Sequence, residues 1–305
     1  MTDAPAPPQN RDTPQGFAYA LLAYGLWGFL PLYMKQLAHL PTLEVLAHRV
    51  IWSVPIALAI LWALGRTEDL RAALANPRML SMAALTAALV SVNWGIYVWA
   101  IQTGHALDAA LGYYINPLFS VALGWAVLGE RLTRLQWLAI ALAVAAVAVL
   151  TWEAGRVPVV ALALTVTWGA YAYFKKSLPI GPNQGFTLEV LLLLLPALAW
   201  VLWHEARGEG HFLATPRDTA LFLGCGVVTA VPLMIYANGA KLLRLSTIGI
   251  LQYIAPTMIF LTAVFLFHEP FGRARAIAFP MIWLALILYT AEMLRISRSR
   301  TPAAG

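Results

Sequence analysis

The 305-residue chain holds 11% charged residues against 61% hydrophobic ones, with a mean hydropathy of +0.72. A soluble domain is roughly a quarter charged, so this composition excludes water as the solvent for most of the surface. The net charge of +6 is spread over short connections, which argues against a nucleic-acid face, and the single cysteine, Cys225, allows neither an intrachain disulfide nor a thiolate metal cluster.

Residues 1–15 are polar and proline-rich and read as a disordered cytoplasmic tail. Apolar runs long enough to cross about 30 Å of hydrocarbon then follow one another. They predict helices over 17–36, 43–64, 79–102, 107–128 and 135–152, and a second set over 158–174, 186–203, 219–240, 246–267 and 275–293. The first run is too long for a signal-peptide core and is expected to remain uncleaved. Residues 296–305 form a second short tail. With the N-terminus inside, thirteen Lys and Arg fall in cytoplasmic connections and six in outer ones, which favours an even number of crossings with both ends cytoplasmic.

The two halves resemble each other. Ile96 to Glu130 lies without a gap on Ile235 to Glu269 at a constant offset of 139, pairing Pro117 with Pro256 and Glu130 with Glu269. Trp27-Gly28 matches Trp168-Gly169, and Thr42-Leu43-Glu44-Val45-Leu46 recurs letter for letter at 187–191. Residues 16–153 and 154–295 therefore form two five-helix repeats. An odd number of crossings inserts the second copy upside down, and such inverted pseudo-symmetry supplies two comparable states, one open to each side of the membrane.

Polar groups deep in a span are costly and face either a bundle interior or a wet cavity. Asn93, Asn116 and Gln252 are candidates for lining a solute cavity, and interhelical hydrogen bonding is the competing role. Tyr97 shares a helical face with Asn93, and Tyr113 shares one with Asn116. Trp27, Trp94 and Trp168 lie near mid-span and could stack on a solute, while Tyr253 adjoins Gln252. Pro117, Pro232 and Pro256 each free a backbone carbonyl and are candidate hinges, or fixed bends. Glu44, His48 and Arg49 form a charged cluster inside the second span; Arg49 is read as snorkelling or pairing with Glu44, with a substrate carboxylate as the competing partner. Asp108 reads as a helix-start carboxylate, and Glu130 and Glu269 as structural turn residues. His39, His105, His204, His211 and His268 fall in loops or at helix ends without metal-ligand spacing. No cofactor motif or catalytic constellation is evident, so an enzyme is not expected. Oligomeric state has no signature here.

Residues 47–53 (Ala-His-Arg-Val-Ile-Trp-Ser), 93–100 (Asn-Trp-Gly-Ile-Tyr-Val-Trp-Ala), 111–118 (Leu-Gly-Tyr-Tyr-Ile-Asn-Pro-Leu), 228–233, 251–257 and His268-Glu269-Pro270 resemble the EamA-type drug/metabolite transporter superfamily, and within it the RarD proteins. The resemblance implies an all-α permease of the bacterial inner membrane, with a cavity formed by spans one, three, four, six, eight and nine, and spans five and ten at the periphery. RarD-like proteins are commonly labelled chloramphenicol-resistance permeases, which puts forward efflux of a drug or small metabolite by alternating access. Smaller four-helix relatives use a glutamate of their first helix for proton coupling, and the first span here has no acidic residue. A scaffold or regulatory subunit that keeps the fold and carries nothing is the alternative.

Overall fold

A computed structural model describes residues 12–129 and 131–299; residues 1–11, Glu130 and residues 300–305 lie outside the described residues, and with them most of the expected N-terminal tail. The protein is an all-α membrane protein. Its helices are α1 (Pro14–Gln36), α2 (Thr42–Ala63), α3 (Thr67–Leu74), α4 (Pro77–Gln102), α5 (Ala106–Leu128), α6 (Arg134–Ala154), α7 (Val159–Lys176), α8 (Pro182–Ala206), α9 (Pro216–Gly239), α10 (Leu245–Leu251), α11 (Ile254–Leu261) and α12 (Arg273–Ser299). Among the described residues nine helical segments are long and apolar enough to cross a bilayer, and α7 is a shorter apolar tenth.

Local chemistry sets the helix ends. Proline opens α1, α4, α8 and α9, where its missing N–H would have had no partner. Side-chain oxygens of Thr13, Asn76 and Thr215 accept the first free amides of α1, α4 and α9, and Thr133 with Gln136 forms a reciprocal capping box on α6. Helices α5 and α6 stop at Gly129 and Gly155 in the left-handed region.

Three boundaries differ from expectation. The first helix begins at Pro14, because Thr13 caps it and Asp12 accepts from the Arg244 amide and the Thr247 hydroxyl, so the exposed start of the chain's first helix is tethered by hydrogen bonds. The last helix runs on through residues 296–299, expected to be tail. The predicted ninth span, 246–267, is divided into α10, α11 and a π-helical segment (Thr262–Leu266). The break falls just before Pro256, whose ring cannot donate to the Gln252 carbonyl; the Thr257 hydroxyl donates to the Tyr253 carbonyl at 2.6 Å beside it. Pro117 and Pro232 leave α5 and α9 continuous.

Packing reproduces the sequence repeat. The corresponding elements are α1 with α7, α2 with α8, α4 with α9, α5 with α10 and α11, and α6 with α12. Contact of α1 with α11 has its counterpart in α7 with α5, contact of α1 with α9 in α7 with α4, and α6 packs on α12. At residue level, a side chain at Gly28 would collide with Met258, and one at Gly169 with Phe119. Gly28 and Gly169 are matched glycines, and Met258 and Phe119 are matched by the 139-residue offset. The same close approach is thus built twice, in inverted orientation, on the two sides of the bundle.

Candidate functional site

The two repeats enclose a cavity of about 170 Å³. Its wall comes from α1, α4, α5, α7, α9 and α11, with Gln252 from the break before α11, and α2 contributes Arg49. Apart from α2 these are the spans that the resemblance assigns to a cavity, and α6 and α12 add no lining residue. Aromatic rings make most of the surface. Tyr24, Trp27 and Tyr236 form a cluster with centroid separations of 5.5 to 5.6 Å. Across from it Tyr97 meets Tyr113 at 5.9 Å, and Tyr113 meets Trp168 edge-on at 6.3 Å.

Arg49 is the charged member of the wall. It is 3% exposed; its Nε donates to Thr229 Oγ1 at 3.0 Å, and its guanidinium carbon lies 4.9 Å over the Trp94 ring. Among the described residues no carboxylate oxygen lies within salt-bridge distance of it, and its Nη1 has no hydrogen-bond partner. The Tyr97 hydroxyl and Asn116 Oδ1, from the same wall, also lack a partner. A buried polar group without a partner costs about 1–3 kcal/mol, more if charged. Three such groups, a donor on Arg49, a hydroxyl on Tyr97 and an acceptor on Asn116, thus face one cavity.

The expected pairing of Arg49 with Glu44, or its snorkelling to the interface, is overturned. Five residues along a helix rotate a side chain by about 140°, so Arg49 turns toward α4 and α9 while Glu44 faces the α8–α9 connection. There Glu44 accepts from the His211 amide at 2.7 Å and meets His211 Nδ1 at 2.8 Å. His48 does not reach the cavity; its ring packs on Phe212 and Phe222, and its Nδ1 accepts from Trp52 Nε1 at 3.1 Å.

Trp27, Trp94, Tyr97, Tyr113, Asn116, Trp168, Gln252 and Pro256 line the cavity. Asn93 does not. It is fully buried behind Tyr113, accepting from its hydroxyl at 3.2 Å and donating to the Leu164 carbonyl and Thr167 Oγ1 of α7. Tyr253 also lies elsewhere, in a lateral groove with Tyr114, Thr257 and Trp283, because the break in the ninth span turns it away from Gln252. Pro117 and Pro232 lie within α5 and α9 off the lining. Asp108, in the first turn of α5, pairs with Arg275 at 3.0 Å, and Glu269 accepts from the Ala106 and Leu107 amides that open the same helix. Tyr24, Thr229 and Tyr236 were not singled out by the sequence; a tyrosine or threonine in an apolar span carries no signal beyond its helical face.

Polar contacts tie the helices together toward both ends of the bundle. At one end Tyr33 donates to the Leu221 carbonyl, His39 meets Asp218 at 2.9 Å, and Gln102 donates to the Leu37 and Leu40 carbonyls. At the other, Lys175 pairs with Glu189 at 2.6 Å, Tyr171 donates to the same carboxylate, and Gln184 donates to Asp69 of α3. Helix α3, absent from the predicted elements, packs Leu70 and Ala73 against this end.

The description "EamA-like transporter family" matches the chain twice, over residues 14–152 and 156–291. The chain belongs to the EamA-like transporter family. It is 42% identical to Protein RarD of Streptomyces exfoliatus, with 93% of this chain and 90% of that protein covered. It is 40% identical to an uncharacterized transporter of Vibrio cholerae, covering 94% and 96% of the two chains. A crystal structure of a protein with 20% identity superposes with a TM-score of 0.59 over 92% of this chain and 98% of the other, a likeness of fold. As in a transporter family generally, the chain is a multi-pass membrane protein, and the cavity lies between its two EamA repeats.

Proposed function

We propose that the chain is a secondary transporter that carries a small organic anion with a flat apolar body, by alternating access of the cavity between the two repeats. The observation that carries this reading is Arg49, a buried cation whose Nη1 has no protein partner and whose surroundings are aromatic. A carboxylate would give it a charge-assisted, two-pronged partner. Asn116 would accept a donor on the same solute, and Trp27, Trp94 and Trp168 would cover its faces. The cavity is smaller than the roughly 300–1,000 Å³ typical of drug-sized ligands, which supports a metabolite over a bulky drug.

The matched contacts of α1 with α11 and α7 with α5 support a rocking exchange between two related states, with Pro256 at the break in the ninth span as a hinge. The distribution of Lys and Arg supports a bacterial inner-membrane protein with both ends cytoplasmic. Efflux is the direction put forward by the resemblance to RarD proteins, and no enzymatic role is assigned.

The test is solute counterflow in proteoliposomes with aromatic carboxylates, aromatic amino acids and chloramphenicol as separate arms. The expected result is saturable exchange of a carboxylate-bearing solute that is lost in Arg49→Gln. Exchange of chloramphenicol alone, unaffected by Arg49→Gln, would overturn the anion assignment. A folded protein that exchanges none of them and captures a membrane partner would support the scaffold reading.

A further inference from the structure

Glu44, His204 and His211 converge at the end of the bundle that holds the His39–Asp218 pair, outside the cavity lining. Each offers one ligand atom, and the three atoms lie within 4.8 Å of one another. Glu44 comes from the first turn of α2, His204 from the last turn of α8, and His211 from the connection that leads to α9. The carboxylate is 1% exposed and is held by the His211 amide and ring.

Glu44 and His211 alone would make an ordinary buried hydrogen-bonded pair. His204 does not fit that account. Both of its ring nitrogens are buried without a hydrogen-bond partner, while the ring is fixed by stacking on Trp200 at 4.6 Å. Glu209 Oε2 stands 3.4 Å from His204 Nδ1, close enough to become a fourth donor after a small rotation. An imidazole is rarely left with both nitrogens dry, and each such group asks for an explanation.

We infer that Glu44, His204 and His211 form a binding site for a divalent transition-metal ion of the zinc class. Two imidazoles and one carboxylate are a recurrent zinc donor set with a fourth position left for water or another ligand. Imidazole nitrogen selects Zn²⁺, Co²⁺, Ni²⁺ or Cu²⁺ over Mg²⁺ and Ca²⁺, which require oxygen-rich shells. With bonds of about 2.0–2.1 Å, tetrahedral donors stand roughly 3.3 Å apart, so side-chain rotation from the present spacing closes the site. Binding would displace the proton shared by Glu44 and His211. It would also tie the first repeat, through α2, to the α8–α9 connection of the second.

The test uses the full chain without a polyhistidine tag, purified in detergent and stripped with chelator. Zn²⁺ and Co²⁺ are titrated by calorimetry and by thermal unfolding, with Mg²⁺ and Ca²⁺ as controls. The expected result is saturable binding of one Zn²⁺ per chain with a rise in melting temperature, and no response to Mg²⁺ or Ca²⁺. His204→Phe keeps the stacked ring and removes both nitrogens; it is expected to weaken Zn²⁺ binding about tenfold or more while the metal-free protein melts near wild type. His204→Gln serves if the phenylalanine variant does not fold. Absence of saturable Zn²⁺ binding by the wild type, or equal affinity in the His204 variant, would overturn the assignment.

Discussion

The guanidinium of Arg49 lies over the Trp94 ring at 4.9 Å, with one of its nitrogens bonded to Thr229 and another unpartnered. A cation placed this way destabilises the empty protein and is stabilised by an anion. Arg49→Met is therefore expected to raise the melting temperature in detergent while weakening binding of the proposed carboxylate solute by about 10- to 100-fold, the equivalent of a lost charge-assisted bond of roughly 1.5–3 kcal/mol. Arg49→Lys should fall between, because an ammonium keeps the charge and loses the planar fork and the stack. A structural arginine would behave in the opposite way, with melting temperature falling in both variants.

Gly226 brings α9 against α2 close to this site. A Cβ at Gly226 would collide with the Trp52 carbonyl oxygen, a backbone atom that cannot swing aside. Gly226→Ala is expected to destabilise by about 1–3 kcal/mol through forced separation of the helices that carry Thr229 and Arg49. Gly25, in α1, has open space where its Cβ would go. Gly25→Ala should be neutral or stabilising by up to about 1 kcal/mol. Thermal unfolding of the two variants side by side separates a steric requirement from general intolerance of alanine.

The spans were legible because each bilayer crossing demands a long apolar run, and Trp27, Trp94 and Trp168 were singled out because they fall near the middle of their runs rather than at the ends, where rings form the interfacial belt. Direction within a helix was harder to read. Arg49 and Glu44 look like partners by proximity in sequence, yet the helical turn sends them to different sites. Asn93 looked equally suited to a cavity or a helix contact, and Tyr113 decides the matter by standing in front of it. Tyr253 was misplaced because a proline announces a bend without stating which side chains the bend redirects. The eight residues of α3 bury only Leu70 and Ala73, too weak a pattern to stand out from a loop. Glu44 and the two histidines are brought together only by the packing of α2 against α8 and α9, a long-range contact that ligand spacing within one segment cannot reveal.

Orientation is testable with thiols because Cys225 is buried and can be replaced. In a Cys225→Ala background, Glu209→Cys in the exposed α8–α9 connection is expected to react with an impermeant maleimide in right-side-out membrane vesicles. Arg131→Cys, exposed between α5 and α6, should react only after permeabilisation. The excess of Lys and Arg on the α5–α6 side predicts this order. Reversed labelling would place both chain ends outside and overturn the proposed orientation.

Lys175 and Glu189 pair at the end of the bundle opposite His39 and Asp218. Their ion pair at 2.6 Å lies beside Tyr171, whose ring meets that of the cavity residue Trp168 at a tilt, 5.3 Å between centroids. Glu189 is almost completely buried, so removing its partner alone leaves a carboxylate that water reaches poorly. Lys175→Met is expected to cost about 3 kcal/mol, the lower end of the range for breaking a buried pair, since the lysine side chain keeps some solvent contact. Adding Glu189→Leu should recover most of that loss, because a neutral apolar pair carries no desolvation penalty. A double-mutant cycle on melting temperature measures the coupling. Additive losses would show that the pair contributes no specific lock, whereas recovery in the double variant together with faster solute leak would identify it as the closure at this end of the site.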